Sequence, residues 1–374
     1  MTVYEILEVV YSPIKAYKKI VQNPSFVGPL IVMVLFIIAS LGNEFARASN
    51  FHVQQTEPSF LNPYDPDPWT ENCSLWVSNG NVNCSTDDLV LGYNSVRAEI
   101  RNEIQLWMEI VDIGEVNCSR IDGYANVTFA LKWLHPKSQP RNASLHLFSN
   151  YSSEYFYRDL TDYINQTKND EWNNLTIPLE ADASQWIQSS DQSVWKSITG
   201  LRLELMWEES DRSNITLLID KLFFRSETFL PITGAVMDNL VTLLINTLVG
   251  FPFYWILFSF VLFIVSKVFR VVSELKMFLV IVGYALIAMV FMEVLFAGFY
   301  LVVNPLYFTI EAASPDSLLN TMFLFSFFVT ILLPIWSMML SVVGIRTAFE
   351  LSWVKSVIIG VIGFLPYYIM LFLA

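Results

Sequence analysis

Nine asparagines head Asn-X-Ser/Thr triplets: Asn72, Asn83, Asn117, Asn126, Asn142, Asn150, Asn165, Asn174 and Asn214. The chemistry open to them is attachment of a glycan to the side-chain amide, and a chain meets that machinery only on the glycosylating side of a membrane. All nine fall between Asn72 and Thr216. One triplet means little, but nine confined to one stretch mark it as extracytoplasmic.

Few other residues offer chemistry. Glu293 lies between Met292 and Val294 inside a long apolar run, where an ionised carboxylate is costly and faces a cavity or a partner. It reads either as a proton- or ion-linked site or as a neutral carboxyl bonded between helices, to Asn246, Thr330 or Ser337. Asp238, Thr242 and Asn246 share one helical face at i, i+4, i+8, and small polar stripes of this kind pack helices together. Tyr151, Tyr155 and Tyr157, with Glu154, Arg158 and Asp159, could form a platform on which a sugar stacks while its hydroxyls find partners. Glycans on the flanking Asn150 and Asn165 could instead cover that surface, leaving a shielded spacer. Trp107, Trp172, Trp186, Trp195 and Trp207 offer further stacking surface, most of it expected in the core. His135 and His146 read as ordinary loop or strand residues, and Asp65 and Asp67 as part of a solvated turn. The sequence holds no HExxH, GxSxG, P-loop or GxGxxG pattern, so no enzyme is expected. Cys73, Cys84 and Cys118 each sit inside a sequon; Cys73–Cys84 is the shortest loop for a disulfide, against three unpaired cysteines.

These residues need a membrane scaffold. The chain is 54% hydrophobic and 15% charged, with mean hydropathy +0.45 and net charge −13. From Arg47 to Glu227 there are 14 Lys and Arg against 26 Asp and Glu. An acidic outer domain without a basic stripe excludes nucleic acid as a partner. Residues 1–25 read as a cytoplasmic amphipathic arm and 26–46 as a first span, a retained signal anchor. Residues 47–80, rich in Pro, Asn and Asp, read as a linker with no regular element. Residues 81–228 carry alternating segments, among them Val127–Trp133 and Leu201–Trp207, which predict an all-β sandwich. Residues 229–374 hold four apolar runs, about 236–265, 277–303, 318–343 and 354–373, the first with a tilt or break near Gly250-Phe251-Pro252. With five spans and the N-terminus inside, Lys15, Lys18, Lys19, Lys267, Arg270, Lys276, Arg346 and Lys355 all face the cytoplasm, and 47–230 lies outside.

Two resemblances accompany this reading. Glu171–Leu179, Trp195-Lys196-Ser197-Ile198 leading into Leu201–Leu205, and Leu218–Phe224 resemble the closing half of a galactose-binding-like jelly roll, the fold of many carbohydrate-binding modules. That resemblance implies a structural calcium held with the help of Asp220; the alternative is a solvated Asp. Ser12-Pro13 with Ala16-Tyr17, Asn23-Pro24, Lys276-Met277 with Gly283-Tyr284-Ala285, and Gly344–Ala348 resemble the prokaryotic branch of the Yip family of five-span proteins. It implies a role in membrane organisation or trafficking, with the jelly roll inserted between spans 1 and 2. The long cytoplasmic arm and Asp-Leu-Tyr-Gly-Pro motif of eukaryotic members are absent, which argues against Rab GTPase binding.

The expectation is therefore a multi-domain membrane protein: a five-helix transmembrane bundle with an extracytoplasmic jelly-roll sandwich between spans 1 and 2. Its expected function is that of a non-enzymatic glycosylated surface protein whose bundle anchors a module for surface glycans or neighbouring proteins. A transporter or ion pathway through Glu293 is the alternative. An archaeal plasma membrane is the expected location, with a eukaryotic secretory membrane as the other reading.

Overall fold

On β11 (Ile198–Met206) Leu201, Leu203 and Leu205 are fully buried while Arg202, Glu204 and Met206 alternate to the other face. Period-two burial of this kind pins a strand's register, because a one-residue slip would expose every leucine. The computed structural model describes residues 2–59, 66–149, 154–179, 184–309 and 317–373. Residues 62–65 of the turn-former run, Asn150, Tyr151, Glu311 and Asp316 lie outside the described residues. The chain divides into two units: Val53–Leu230 with Tyr307–Ala313, and the remainder.

The first unit is a β-sandwich of two antiparallel sheets. Its strands in chain order are β1 (Phe51–Glu57), β2 (Trp76–Ser78), β3 (Asn81–Ser85), β4 (Ser95–Glu103), β5 (Gln105–Ile110), β6 (Asn126–His135), β7 (Asn142–Ser149), β8 (Tyr155–Asp159), β9 (Asn173–Pro178), β10 (Ile187–Gln188), β11, β12 (Ser213–Pro231) and β13 (Leu306–Phe308). One sheet runs β10-β8-β7-β11-β5-β2; the other runs β13-β1-β12-β4-β3, with β6 joining β12 and β9. Between them lies one core. Leu106, Met108, Leu145 and Leu147 meet the β11 leucines from the six-stranded side, and Phe129, Leu131, Trp133, Ile177 and Leu217 come from the other. Each such side chain contributes about 1.5–3 kcal/mol on burial.

The segment 47–80 is more ordered than its composition predicts. β1 pairs with β12, a partner too distant in sequence for local patterning to reveal. Asp67 is no solvated turn residue. It is 1% exposed and caps the short helix Pro68–Glu71, its Oδ1 accepting from the Trp69 and Thr70 amides at 3.1 and 2.8 Å. Asp followed by Pro is an N-cap and first-turn pair as well as a turn signal. Cys73 and Cys84 form a disulfide across 11 residues, tying this segment to β3. Closing a loop of that length removes about 3 kcal/mol of chain entropy from the unfolded state. Cys118 is buried outside the bridge.

The second unit is helical: α1 (Thr2–Tyr11), α2 (Pro13–Gln22) and α3 (Val27–Asn50), then, beyond two one-turn helices in the sandwich, α4 (Pro68–Glu71) and α5 (Thr161–Ile164), come α6 (Thr233–Asp238), α7 (Leu240–Val268), α8 (Leu275–Ala285), α9 (Ile287–Val302), α10 (Ser317–Phe349) and α11 (Trp353–Leu373). Four helical stretches among the described residues are long and apolar enough to cross a bilayer: Val27–Asn50, Leu240–Val268, Leu275–Val302 and Leu324–Phe349. They mark an integral membrane protein. α11 is an apolar helix of 21 residues, with side chains described through Pro366. Of the tilt or break expected near Pro252, the break does not occur: α7 continues through Pro252, and an interruption falls at Leu286, between α8 and α9. The arm is two helices, parted at Ser12-Pro13, where Pro13 opens α2.

Glycines bring the helices together. A Cβ on Gly28 would strike the Tyr284 ring, one on Gly283 would meet Pro29 and Trp255, and one on Gly344 would meet Ile281 and Tyr17. Small residues allow such close approach where lipid supplies no hydrophobic drive. The Tyr17 hydroxyl donates to the Ile281 carbonyl at 3.2 Å, and Trp255 Nε1 donates to the Leu279 carbonyl at 2.6 Å.

Candidate functional site

The outer face of the six-stranded sheet carries the densest set of groups able to bind a ligand. Cross-strand register places Glu109, Arg202, His146, Tyr157 and Ile187 side by side on five neighbouring strands, β5, β11, β7, β8 and β10. The adjacent row is Trp107, Glu204, Ser144 and Asp159. Trp107, Glu109, His146, Tyr155, Tyr157, Arg202 and Glu204 are all half-buried, their edges open on the sheet surface.

Two subassemblies order this face. His146 stands between Tyr155 and Tyr157, with ring centroids 5.1 Å from each. The Arg202 guanidinium lies 4.5 Å over the Trp107 ring, and both its Nε and one terminal nitrogen donate to Glu109 Oε2 at 2.6 Å. A guanidinium held on both its aromatic face and its edge is pre-organised, so little entropy is lost when a ligand meets it. Glu204 accepts from Gln105 Nε2 at 2.5 Å. Burial, followed by the charge of Arg202, pushes the His146 pKa down to about 4, so at neutral pH the ring is uncharged. Burial likewise raises the Tyr157 phenol. The face thus offers neutral aromatic rings beside a fixed fork of donors and two carboxylate acceptors.

The sequence places only part of this. Tyr155 and Tyr157 do share the face, and Tyr151 lies outside the described residues. Arg158 does not join them: it is 2% exposed on the opposite side of β8, donating to the Pro178 carbonyl, Tyr163 and Gln185. A strand reverses side chains at every residue, so the neighbour of Tyr157 must point inward. Trp186 and Trp207 are core, Trp195 packs against that core, and Trp172 donates to Asp88. Glu109, Arg202 and Glu204 were not singled out in sequence. Arg202 and Glu204 fall on the polar half of the alternation whose apolar half marked β11; β5, which carries Glu109, was not marked in sequence.

Asp220 is fully buried, and all its lone pairs face donors. Oδ2 accepts from the Val90 and Leu91 amides at 2.6 and 3.0 Å, and Oδ1 from Lys221 N and Thr70 Oγ1. Thr70 Oγ1 also lies 2.5 Å from Asp67 Oδ2. Amide hydrogens pointed at a carboxylate occupy the positions a calcium ion would need, so this pair does not fit a calcium site. Among the described residues no group of three or more His, Cys, Asp or Glu could hold a metal. A cleft of about 690 Å³ bordered by Glu57, Glu115, Asp122 and Glu227 is acidic but contains no such group.

In the helical unit Glu293, 9% exposed, accepts from Asn43 Nδ2 of α3 at 2.8 Å. Its partner is therefore none of the residues the sequence offered. Asp238, Thr242 and Asn246 are all exposed and do not pack helices together. Their spacing shows that they share a face, not which way that face turns.

Of the eight described sequon asparagines, Asn72, Asn83, Asn142, Asn165, Asn174 and Asn214 are exposed, and Asn117 and Asn126 are half-buried.

No family model and no curated protein matches the chain, so the Yip resemblance rests on its short motifs alone. Among solved structures the chain is similar to β-sandwich carbohydrate-binding modules. One is the family 30 module of a cellulosomal cellulase of Clostridium thermocellum, at 12% identity and TM-score 0.31, covering 41% of this chain and 92% of that one. Another is the family 11 module from Clostridium thermocellum in complex with a β-1,3-1,4-mixed-linked tetrasaccharide, at 12% identity and TM-score 0.26, covering 41% and 89%. A third is the C-terminal family 22 module of Clostridium thermocellum Xyn10B, at 10% identity and TM-score 0.28, covering 46% and 99%.

Proposed function

We propose that this chain is an integral membrane protein whose sandwich is a non-catalytic binding module, and that the outer face of its six-stranded sheet takes a neutral glycan. The observation that carries this is the ordered row from Glu109 through Arg202 and His146 to Tyr157. A sugar has an apolar face that stacks on rings and hydroxyls that need both donors and acceptors; Trp107 and Tyr157 supply the first, Arg202, Glu109 and Glu204 the second. Charge favours neutral saccharides. Arg202 is already neutralised by Glu109, and Glu204 and Asp159 leave the face negative, which repels sulfated or uronic chains. The sequons and the clustering of basic residues on the other segments support an outside location for the sandwich, with the N-terminus in the cytoplasm. The contact between Glu293 and Asn43 supports a helix-joining role for that carboxylate, and so an anchoring rather than a transporting bundle.

The test uses the full chain in lipid nanodiscs, presented to panels of neutral and anionic glycans. Retention of a neutral glycan that falls about tenfold in Trp107→Ala and again in Tyr157→Ala is expected, on the order of 1.4 kcal/mol per ring. Binding that survives the double substitution, or a preference for anionic glycans, would refute the assignment.

A further inference from the structure

The first helix is amphipathic in the wrong sense for water. Every described α1 side chain that is exposed is apolar or aromatic: Tyr4 at 57%, Leu7 at 56% and Tyr11 at 63%. These stand at i, i+3 and i+7, one stripe on a helix, and Ile14 at the start of α2 is exposed as well. The carboxylates turn the other way. Glu8 is completely buried, accepting from Lys19 Nζ at 2.7 and 3.0 Å, and that bond holds its carboxyl below the usual range. Glu5 is half-buried with Oε2 3.4 Å from the Tyr284 hydroxyl.

Position within the helical unit says what the stripe meets. α1 packs on α3, α8 and α9, and α2 packs on α10. The Tyr284 ring that meets Glu5 also lies against Gly28, in the first turn of α3. Glu5 therefore sits level with the end of that span, where the exposed row Phe26, Val27, Leu30 and Val34 begins. Alongside, α2 exposes Lys15 and Lys18, and Lys18 makes no ion pair among the described residues.

We propose that α1 and α2 are seated in the interface of the bilayer that α3 crosses. In this arrangement Tyr4, Leu7, Tyr11 and Ile14 enter the boundary between headgroups and acyl chains, and Lys15 and Lys18 meet the phosphates of anionic lipids. Tyrosine suits that depth because its ring is apolar and its hydroxyl wants water, and a lysine stem can lie along lipid while its ammonium reaches the headgroups. An aqueous face would have placed Glu5 and Glu8 outward and the tyrosines inward.

The full chain in a Cys118→Ala background, with an environment-sensitive fluorophore on Leu7→Cys or Tyr11→Cys, tests the seating in nanodiscs of phosphatidylcholine with phosphatidylglycerol. Blue-shifted emission at both positions, quenched by acyl-chain spin-labelled lipid and not by iodide, is the expected result. Quenching by iodide alone would overturn the proposal. Energy transfer between labels on two copies, with no quenching by lipid, would overturn it too, because a second copy would then cover the stripe. Lysine contacts are read separately, from the phosphatidylglycerol retained by the purified chain. Lys15→Gln and Lys18→Gln should each lower its affinity about fivefold. Unchanged retention in the double variant would remove the anionic-lipid part.

Discussion

Asp67→Asn should change how the sandwich responds to pH. Asp67 and Asp220 are buried carboxylates sharing one hydroxyl, that of Thr70. Burial pushes the Asp67 pKa up to about 7; the charge of Asp220 adds to the rise, and bonds from Thr70 and Leu222 oppose it. In the unfolded chain the same group titrates near its ordinary 3.8. Below about pH 4 both states hold the proton and the folded state keeps its full advantage. Between there and about pH 7 only the folded state holds it, so stability falls as pH rises, and above about pH 7 the loss is complete. A rise from 3.8 to about 7 corresponds to about 4 kcal/mol. The asparagine keeps an oxygen for the Trp69 and Thr70 amides and gains an N–H toward Thr70. It leaves the Leu222 amide short of an acceptor, a cost of about 1 kcal/mol that does not vary with pH. His146 works in the opposite direction: its lowered pKa makes stability rise from about pH 4 to about pH 6.5, and it cancels in the comparison because both proteins carry it. Hydrogen exchange at the Val90, Leu91, Lys221 and Leu222 amides in the full chain, corrected for intrinsic rate, reports the opening of this cluster. The variant should gain on the wild type from about pH 4 to about pH 7 and level off above that. A difference that stays flat across that range would show that Asp67 does not carry the proton.

Glu293→Leu should destabilise the solubilised chain by about 1–2 kcal/mol, because Asn43 loses its acceptor between spans, whereas Glu293→Gln should cost little. Thermal unfolding of the two variants in one detergent separates them, and equal losses would reject the bond as the cause. Expressed in a glycosylating host, the chain should carry glycans more fully at the six exposed sequon asparagines than at Asn117, whose amide donates to the Asp122 carbonyl, or at half-buried Asn126. Peptide mass spectrometry after enzymatic deglycosylation gives the occupancies, and full modification at Asn117 with empty exposed sites would contradict the ranking.

What was legible in the sequence followed from periodicity and composition. Val127–Trp133 and Leu201–Trp207 alternate, and both became strands of the sandwich; long uncharged runs became helices of spanning length. Partners far apart in sequence were not legible. β1 looked like linker because its partner β12 begins more than 150 residues later, and the mate of Glu293 is 250 residues away on another helix. The binding face was half legible. Tyrosine is a noticeable residue type, so Tyr155 and Tyr157 stood out, but Arg202 and Glu109 are ordinary charges until register places them in one row. Asp67 shows how one signal can serve two structures, since Asp-Pro opens turns and caps helices alike.

The seating of Tyr17 has a consequence for how the protein is made. Its hydroxyl binds a carbonyl 264 residues further on, and its ring lies against Gly344. At roughly 5–20 residues per second, about half a minute separates the synthesis of Tyr17 from that of Ile281. Tyr17 is thus made long before its partners, and until they are made it lacks the Ile281 carbonyl and the Gly344 contact, and Glu5 lacks the Tyr284 hydroxyl. Nascent chains stalled before Gly344 should present the hairpin of α1 and α2 to protease, and completed chains should hide it. The α1–α2 hairpin would then serve as a natural reporter of whether the bundle has been assembled.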